Sequence, residues 1–139
     1  YGTDTTPGAT TEDYRCEINI PTQTTITGIA VLLGPTVAGN ATVSLCSRSD
    51  VPIAAAKSAS TALSVTGGYQ RIPFASSYRA SPGKYFIAVQ FNNTGAHFRT
   101  HPFGNFGTEK LTGGTYGTFV TGGHHGTFTA DVGPIVSLY

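Results

Sequence analysis

Apolar and polar residues alternate most regularly between Ser81 and Phe91, SPGKYFIAVQF. Ser81-Pro82-Gly83 is a turn signal, because proline presets φ and glycine tolerates positive φ. The run that follows puts Tyr85, Ile87, Val89 and Phe91 on one face of a strand. Lys84, Phe86, Ala88 and Gln90 share the other face, which is half apolar. A strand with apolar residues on both faces belongs in the middle of a sheet covered on both sides. The rest of the chain is expected to build around it.

The same parity reading gives the other elements. Residues 14–20 form a strand that Pro21 stops. Residues 24–33 form a long strand, apolar on both faces and central, that Gly34-Pro35 ends. A turn at Val37–Asn40 leads into a strand over 41–47. Ser49–Pro52 turns the chain again before a short strand near Ile53–Lys57. Residues 58–68 are small and polar and read as a loop. Tyr69 to Phe74 is a strand with Ile72 and Phe74 inward and Tyr69 and Arg71 outward. Pro73 marks it as an edge or a strand end. Asn92–Gly95 turns into a strand over 96–101. Residues 92–139 hold ten of the 18 glycines, so only short strands are expected there, near 115–121, 126–131 and 135–139. No helical period or heptad occurs. The pattern predicts an all-β fold: a single antiparallel β-sandwich, jelly-roll-like, over residues 13–139. Residues 1–12 read as an extended N-terminal arm, either a disordered leader or a reach toward a neighbour. Gly/aromatic-rich loops fill the C-terminal third.

Composition narrows the function classes. Only 11% of the 139 residues are charged, with eight bases and seven acids for a net charge of +1. Thr, Ser, Asn and Gly must therefore supply the polar surface, which suits an extracellular or virion protein or one that meets copies of itself. No basic stripe for nucleic acid is present, and no basic amphipathic helix for a membrane surface. No apolar run approaches the ~20 residues of a membrane-spanning helix. No leader peptide is recognisable. Tyr1 and the lack of methionine fit a processed end, an excised domain or the first ordered residue of a longer chain. Cys16 shares parity with Tyr14, Ile18 and Ile20 and should point inward. Cys46 shares parity with Thr42 and Ser44 and should point outward, half-exposed. Opposite faces disfavour a Cys16–Cys46 bridge, although the residues alone do not decide it.

Chemistry-bearing constellations are sparse. His97 and His101 share a strand face but lie about 13 Å apart at ~3.3 Å per residue. His124 and His125 are adjacent, and their side chains diverge. Glu12-Asp13 and Glu109-Lys110 do not present the facing carboxylates of a glycosidase. No serine sits in a nucleophile-elbow context, and no glycine-rich loop opens a helix. Catalytic, cofactor-binding and metal-binding residues are therefore all expected to be none. Asn40-Ala-Thr42 and Asn92-Asn-Thr94 match the glycosylation pattern in predicted turns.

The spaced motifs resemble a family of tailed-bacteriophage virion proteins with β-sandwich domains. They are Asp13-Tyr-Arg-Cys16 leading to Ile20-Pro21 and Thr25-Ile-Thr-Gly-Ile29, Gly68-Tyr-Gln-Arg-Ile-Pro-Phe74 leading to Pro82–Gln90, and Phe128–Tyr139. The resemblance implies a non-enzymatic structural role on the particle, as capsid decoration or as tail or fibre. It also implies partners: other copies, as a trimer, and major capsid or tail proteins. The location implied is the virion surface. Phe103, Phe106, Tyr116 and Phe119 are the candidate assembly contacts; each could instead fold back to cap its own sandwich. The alternatives are a secreted carbohydrate-binding or adhesin module, using Tyr69, Tyr85 and Asn92-Asn93 on cell-surface glycans, or a subunit of an extracellular filament. No tryptophan is available as a sugar platform.

Overall fold

The computed structural model describes residues 2–101, 107–121 and 132–139. Among them the chain forms strands and turns only. The strands are β1 (Thr3–Thr5), β2 (Asp13–Ile20), β3 (Thr24–Leu32), β4 (Asn40–Cys46), β5 (Pro52–Lys57), β6 (Thr61–Ala62), β7 (Tyr69–Ala80), β8 (Gly83–Phe91), β9 (Phe98–Thr100), β10 (Thr108–Leu111) and β11 (Val136–Leu138). All pairings are antiparallel. The large sheet runs β10-β2-β8-β4-β5, with β6 also on β4, and the small sheet runs β11-β3-β7. A third ladder pairs β1 with β9. It joins the small sheet through single bridges from Phe98 to Leu33 and from Thr100 to Pro134.

β8 lies between β2 and β4, as its two apolar faces predict. Its Ile87, Val89 and Phe91 meet Tyr14, Cys16, Val43 and Leu45 from the neighbouring strands and Ile29, Val31 and Ile72 from the small sheet. These two inner faces form the main core. Tyr14, Phe91 and Phe98 cluster inside it, with ring centroids 4.7–6.4 Å apart. The sheets join along one edge, where Ser58 bridges to Phe74. Register slips between Ile26 and Gly28 against β7. That slip lets Ile26 and the odd-numbered Ile29, Val31 and Leu33 all face inward, which strict alternation would forbid.

Several expectations are corrected. Residues 115–121 are not a strand: Thr115 and Thr118 close a tight turn, and Gly113 and Gly117 take φ of 83° and 88°, which breaks extension. β6 lies inside the predicted 58–68 loop. β10 carries no apolar alternation and was not expected. The expected arm, residues 1–12, lies along the body over its described part. β1 pairs with β9, and the Gly8 amide donates to the Glu12 carboxylate at 2.9 Å and to the Tyr14 hydroxyl oxygen at 3.0 Å. The predicted strand at 126–131, together with Phe103, Phe106, His124 and His125, lies outside the described residues.

Candidate functional site

Register places an unusual set of side chains on the outer face of the large sheet. Thr42, Gln90 and Asp13 form one row across β4, β8 and β2; Ser44, Ala88 and Arg15 form the next; Cys46, Phe86 and Glu17 form the third. Glu109 of β10 extends the Arg15 row. In an open sandwich this face would be wet. Here Asp13, Arg15, Ser44, Cys46 and Gln90 have no exposed surface. Residues 112–121 fold across them as a lid.

The lid is held by the polar rows beneath it. The Gln90 side-chain amide donates to the carbonyls of Thr115 at 3.3 Å and Thr118 at 3.1 Å, and its oxygen accepts from the Gly117 amide at 2.9 Å. Asp13 accepts from the Val120 amide at 2.8 Å, and Arg15 donates to the Val120 carbonyl. Lys57 donates to the Gly117 carbonyl and lies 5.6 Å over the Phe119 ring. Phe119 packs on Phe86, Ala88 and Cys46 as a second, smaller core. Tyr116 shares a hydrogen bond of 2.8 Å with Ser60. Of the four assembly candidates, then, Phe119 is buried under its own lid and Tyr116 is half-buried.

Arg15 is the centre of the charge cluster. Its guanidinium meets Asp13 at 3.0 Å and Asp50 at 2.5 Å, with all three side chains buried. Asp50 reaches it from the turn after β4, in a left-handed conformation with φ of 62° that aspartate tolerates better than most residues. Glu109 completes the group. Burial, followed by a hydrogen bond and charge repulsion from Asp50, pushes its carboxyl up to about 7, and Arg15 only partly offsets this. Asp50 Oδ2 and Glu109 Oε1 are both buried without a hydrogen-bond partner among the described residues, so a proton on Glu109 relieves the repulsion among the carboxyls gathered around Arg15. Burial pushes the Cys46 thiol up to about 12, as it does for Cys16. Both cysteines are free. They lie on opposite faces of the sheet, as parity requires, but Cys46 is buried rather than half-exposed because the lid covers it. No local pattern signals a cover supplied from more than 60 residues downstream.

The small sheet presents a different surface. Its outer face carries Ala30 at the centre, Tyr69 and Arg71 on β7, and Ser137 on β11, with Tyr139 just beyond; together with Leu138 they line an open groove of about 380 Å³. Tyr69 is 51% exposed. The carbonyl oxygen of Tyr139 accepts from the Thr27 and Gly28 amides at 2.6 and 3.2 Å. Its ring crosses Gly28, where a Cβ would lie 2.6 Å from Cζ. Arg71 stacks over that ring, 4.9 Å from its centroid. Glycine at 28 is what lets the ring lie against the sheet.

Other predicted residues are already engaged. Tyr85 donates to the Ser81 carbonyl at 2.9 Å. Asn92 accepts from the Asn40 amide at 2.6 Å, tying its turn to the start of β4, and Asn93 accepts from the Gly95 amide at 2.8 Å within its own turn. His97 meets Asp4 at 2.8 Å. Among the described residues no group of three or more His, Cys, Asp or Glu is placed to hold a metal. Comparisons with protein-family models, with curated proteins and with solved structures find no match to this chain.

Proposed function

We infer that this chain is a non-enzymatic structural subunit of a bacteriophage particle, a capsid decoration first and a tail or fibre component second. The observation that carries the reading is β7. It is a 12-residue strand at the edge of the small sheet, paired to β3 on one side. Beyond the bridge at Phe74, the exposed Ala75, Ser76 and Ser77 form the bulged stretch between the Pro73–Gly28 and Tyr78–Ile26 pairs and carry no charge. An exposed, uncharged stretch of small residues on a sheet edge offers a neighbour close backbone approach. Repeated from copy to copy, such a contact closes into a ring when the rotation allows and grows into a filament when it does not. The spaced phage-like motifs and the low overall charge support the same reading.

The test is imaging of the purified chain by negative-stain electron microscopy beside a Ser76→Lys/Ser77→Lys variant. Closed threefold particles are expected for the natural sequence, and single domains for the variant, because lysines on facing edges repel. Single domains in both samples, or identical particles in both, would overturn the reading.

A further inference from the structure

We propose that the groove on the outer face of the small sheet binds an acidic saccharide, a sugar bearing a carboxylate, independently of the assembly edge. Three observations carry this.

The first is the floor. Ala30 leaves the sheet flat between Tyr69 and Tyr139, whose ring covers Gly28. The backbone there is already committed: the Leu32 amide donates to the Ile135 carbonyl at 2.9 Å, and the Tyr139 amide to the Gly28 carbonyl at 3.2 Å. An added peptide strand would find no free backbone ladder on this face. A ligand must use side chains, and a pyranose does so by laying its C–H face on an aromatic ring. Tyr69 offers that ring with half its surface in water.

The second is Arg71. Its guanidinium is fixed over Tyr139 and enters no ion pair with the described residues. A planar fork held by stacking, with its N–H groups unspent on acids, matches a carboxylate in two-point geometry. The Ser137 hydroxyl, across Ala30 in the same row, donates to the Leu138 carbonyl at 3.3 Å, and its oxygen can accept from a sugar hydroxyl.

The third is the distribution of charge. Four of the seven acids, Glu12, Asp13, Asp50 and Glu109, are buried, but only one of the eight bases, Arg15. The net charge of +1 therefore hides a cationic exterior. Seven bases lie outside the buried interior, against Asp4 and Glu17 among the described acids. A carboxylated ligand is drawn to such a surface, and a neutral one is not. The groove volume of about 380 Å³ falls in the small-ligand range of roughly 300–1,000 Å³.

The experiment is an NMR titration of the full chain with sialyllactose and trigalacturonate, against lactose and inorganic phosphate. Shifts at Tyr69, Arg71 and Ser137 with the acidic sugars, and weaker binding of lactose and phosphate, are expected. Arg71→Gln should lower acidic-sugar affinity by roughly tenfold or more, the loss of a charge-assisted contact. Tyr69→Ala should lower affinity for acidic and neutral sugars alike. Both residues are exposed, so both variants should keep the natural circular dichroism spectrum. Absence of binding, equal binding of lactose, phosphate binding as tight as the sugars, or an unchanged Arg71→Gln affinity would each overturn the proposal. So would a fall in oligomer mass in either variant, which would assign the groove to contact between copies.

Discussion

Glu109 is the residue whose chemistry is most displaced by the fold. It sits beside Arg15 and Asp50, with Asp13 on the same strand as Arg15 and Cys46 on β4 completing the ionisable groups around it. In the fold its carboxyl is pushed up to about 7, above the ordinary glutamate value of 4.5. The folded chain therefore holds a proton that the unfolded chain releases across this window. The resulting stability is full below about pH 4.5 and is lost as pH rises through 7. Glu109→Gln cannot titrate. Thermal melts of the natural chain should drop between pH 5 and 8 by an amount worth about 1–3 kcal/mol, and Glu109→Gln should show a flatter profile. Parallel profiles would place the shared proton elsewhere. Nothing in the sequence marked Glu109, which with Lys110 beside it offered no facing carboxylate. What brings it to Asp50 is the pairing of β10 with β2, a contact more than 90 residues apart in the chain.

At the scale of elements, strands with a strong alternating pattern were legible. β8 emerged as the centre and β3 as a central strand; Pro73 left the strand from Tyr69 as an edge or a strand end, with Tyr69 and Arg71 outward, and β7 is the edge but runs past Phe74 to Ala80. Elements specified by distant partners were not. β10 is Thr-Glu-Lys-Leu, and only its position beside β2 makes it a strand. Residues 115–121 of the lid read as a short strand because aromatic residues punctuate the glycines there, yet the lid's conformation is set by what lies below it. The signal that was present is parity: Asp13, Arg15 and Gln90 alternate with core residues, and Phe86 and Ala88 lie among them, so the outer face was never a purely polar one. Gln90 holds the lid through three hydrogen bonds to its backbone. Gln90→Ala leaves those groups unpaired, at a cost of about 1–3 kcal/mol. The sandwich should persist, while hydrogen exchange at 113–120 accelerates and Cys46 becomes reactive to thiol reagents. A Cys46 as inert in that variant as in the natural chain would mean that Phe119 packing, not Gln90, holds the lid.

Over the whole molecule, among the described residues, the small sheet covers one face of the large sheet, and the lid covers the Asp13–Arg15–Gln90 part of the other, leaving its Asn19–Lys84 end exposed. The outer face and the edge of the small sheet are open. The groove near Tyr69 and Arg71 and the edge at Ala75–Ser77 occupy different stretches of β7, so one strand can serve a ligand and a neighbour together. The edge was not legible as a site. Tyr69 was visible as an outward residue and as a candidate sugar contact, but Arg71 was not paired with it in that role, and Tyr139 and Gly28 come together only when β11 closes against β3. The claim that unites these features is that the chain works by associating with itself. Sedimentation equilibrium of the natural chain without denaturant, over a wide concentration range, tests it most directly. A discrete species at three times the chain mass is the expected result; a monomer at every concentration would contradict it.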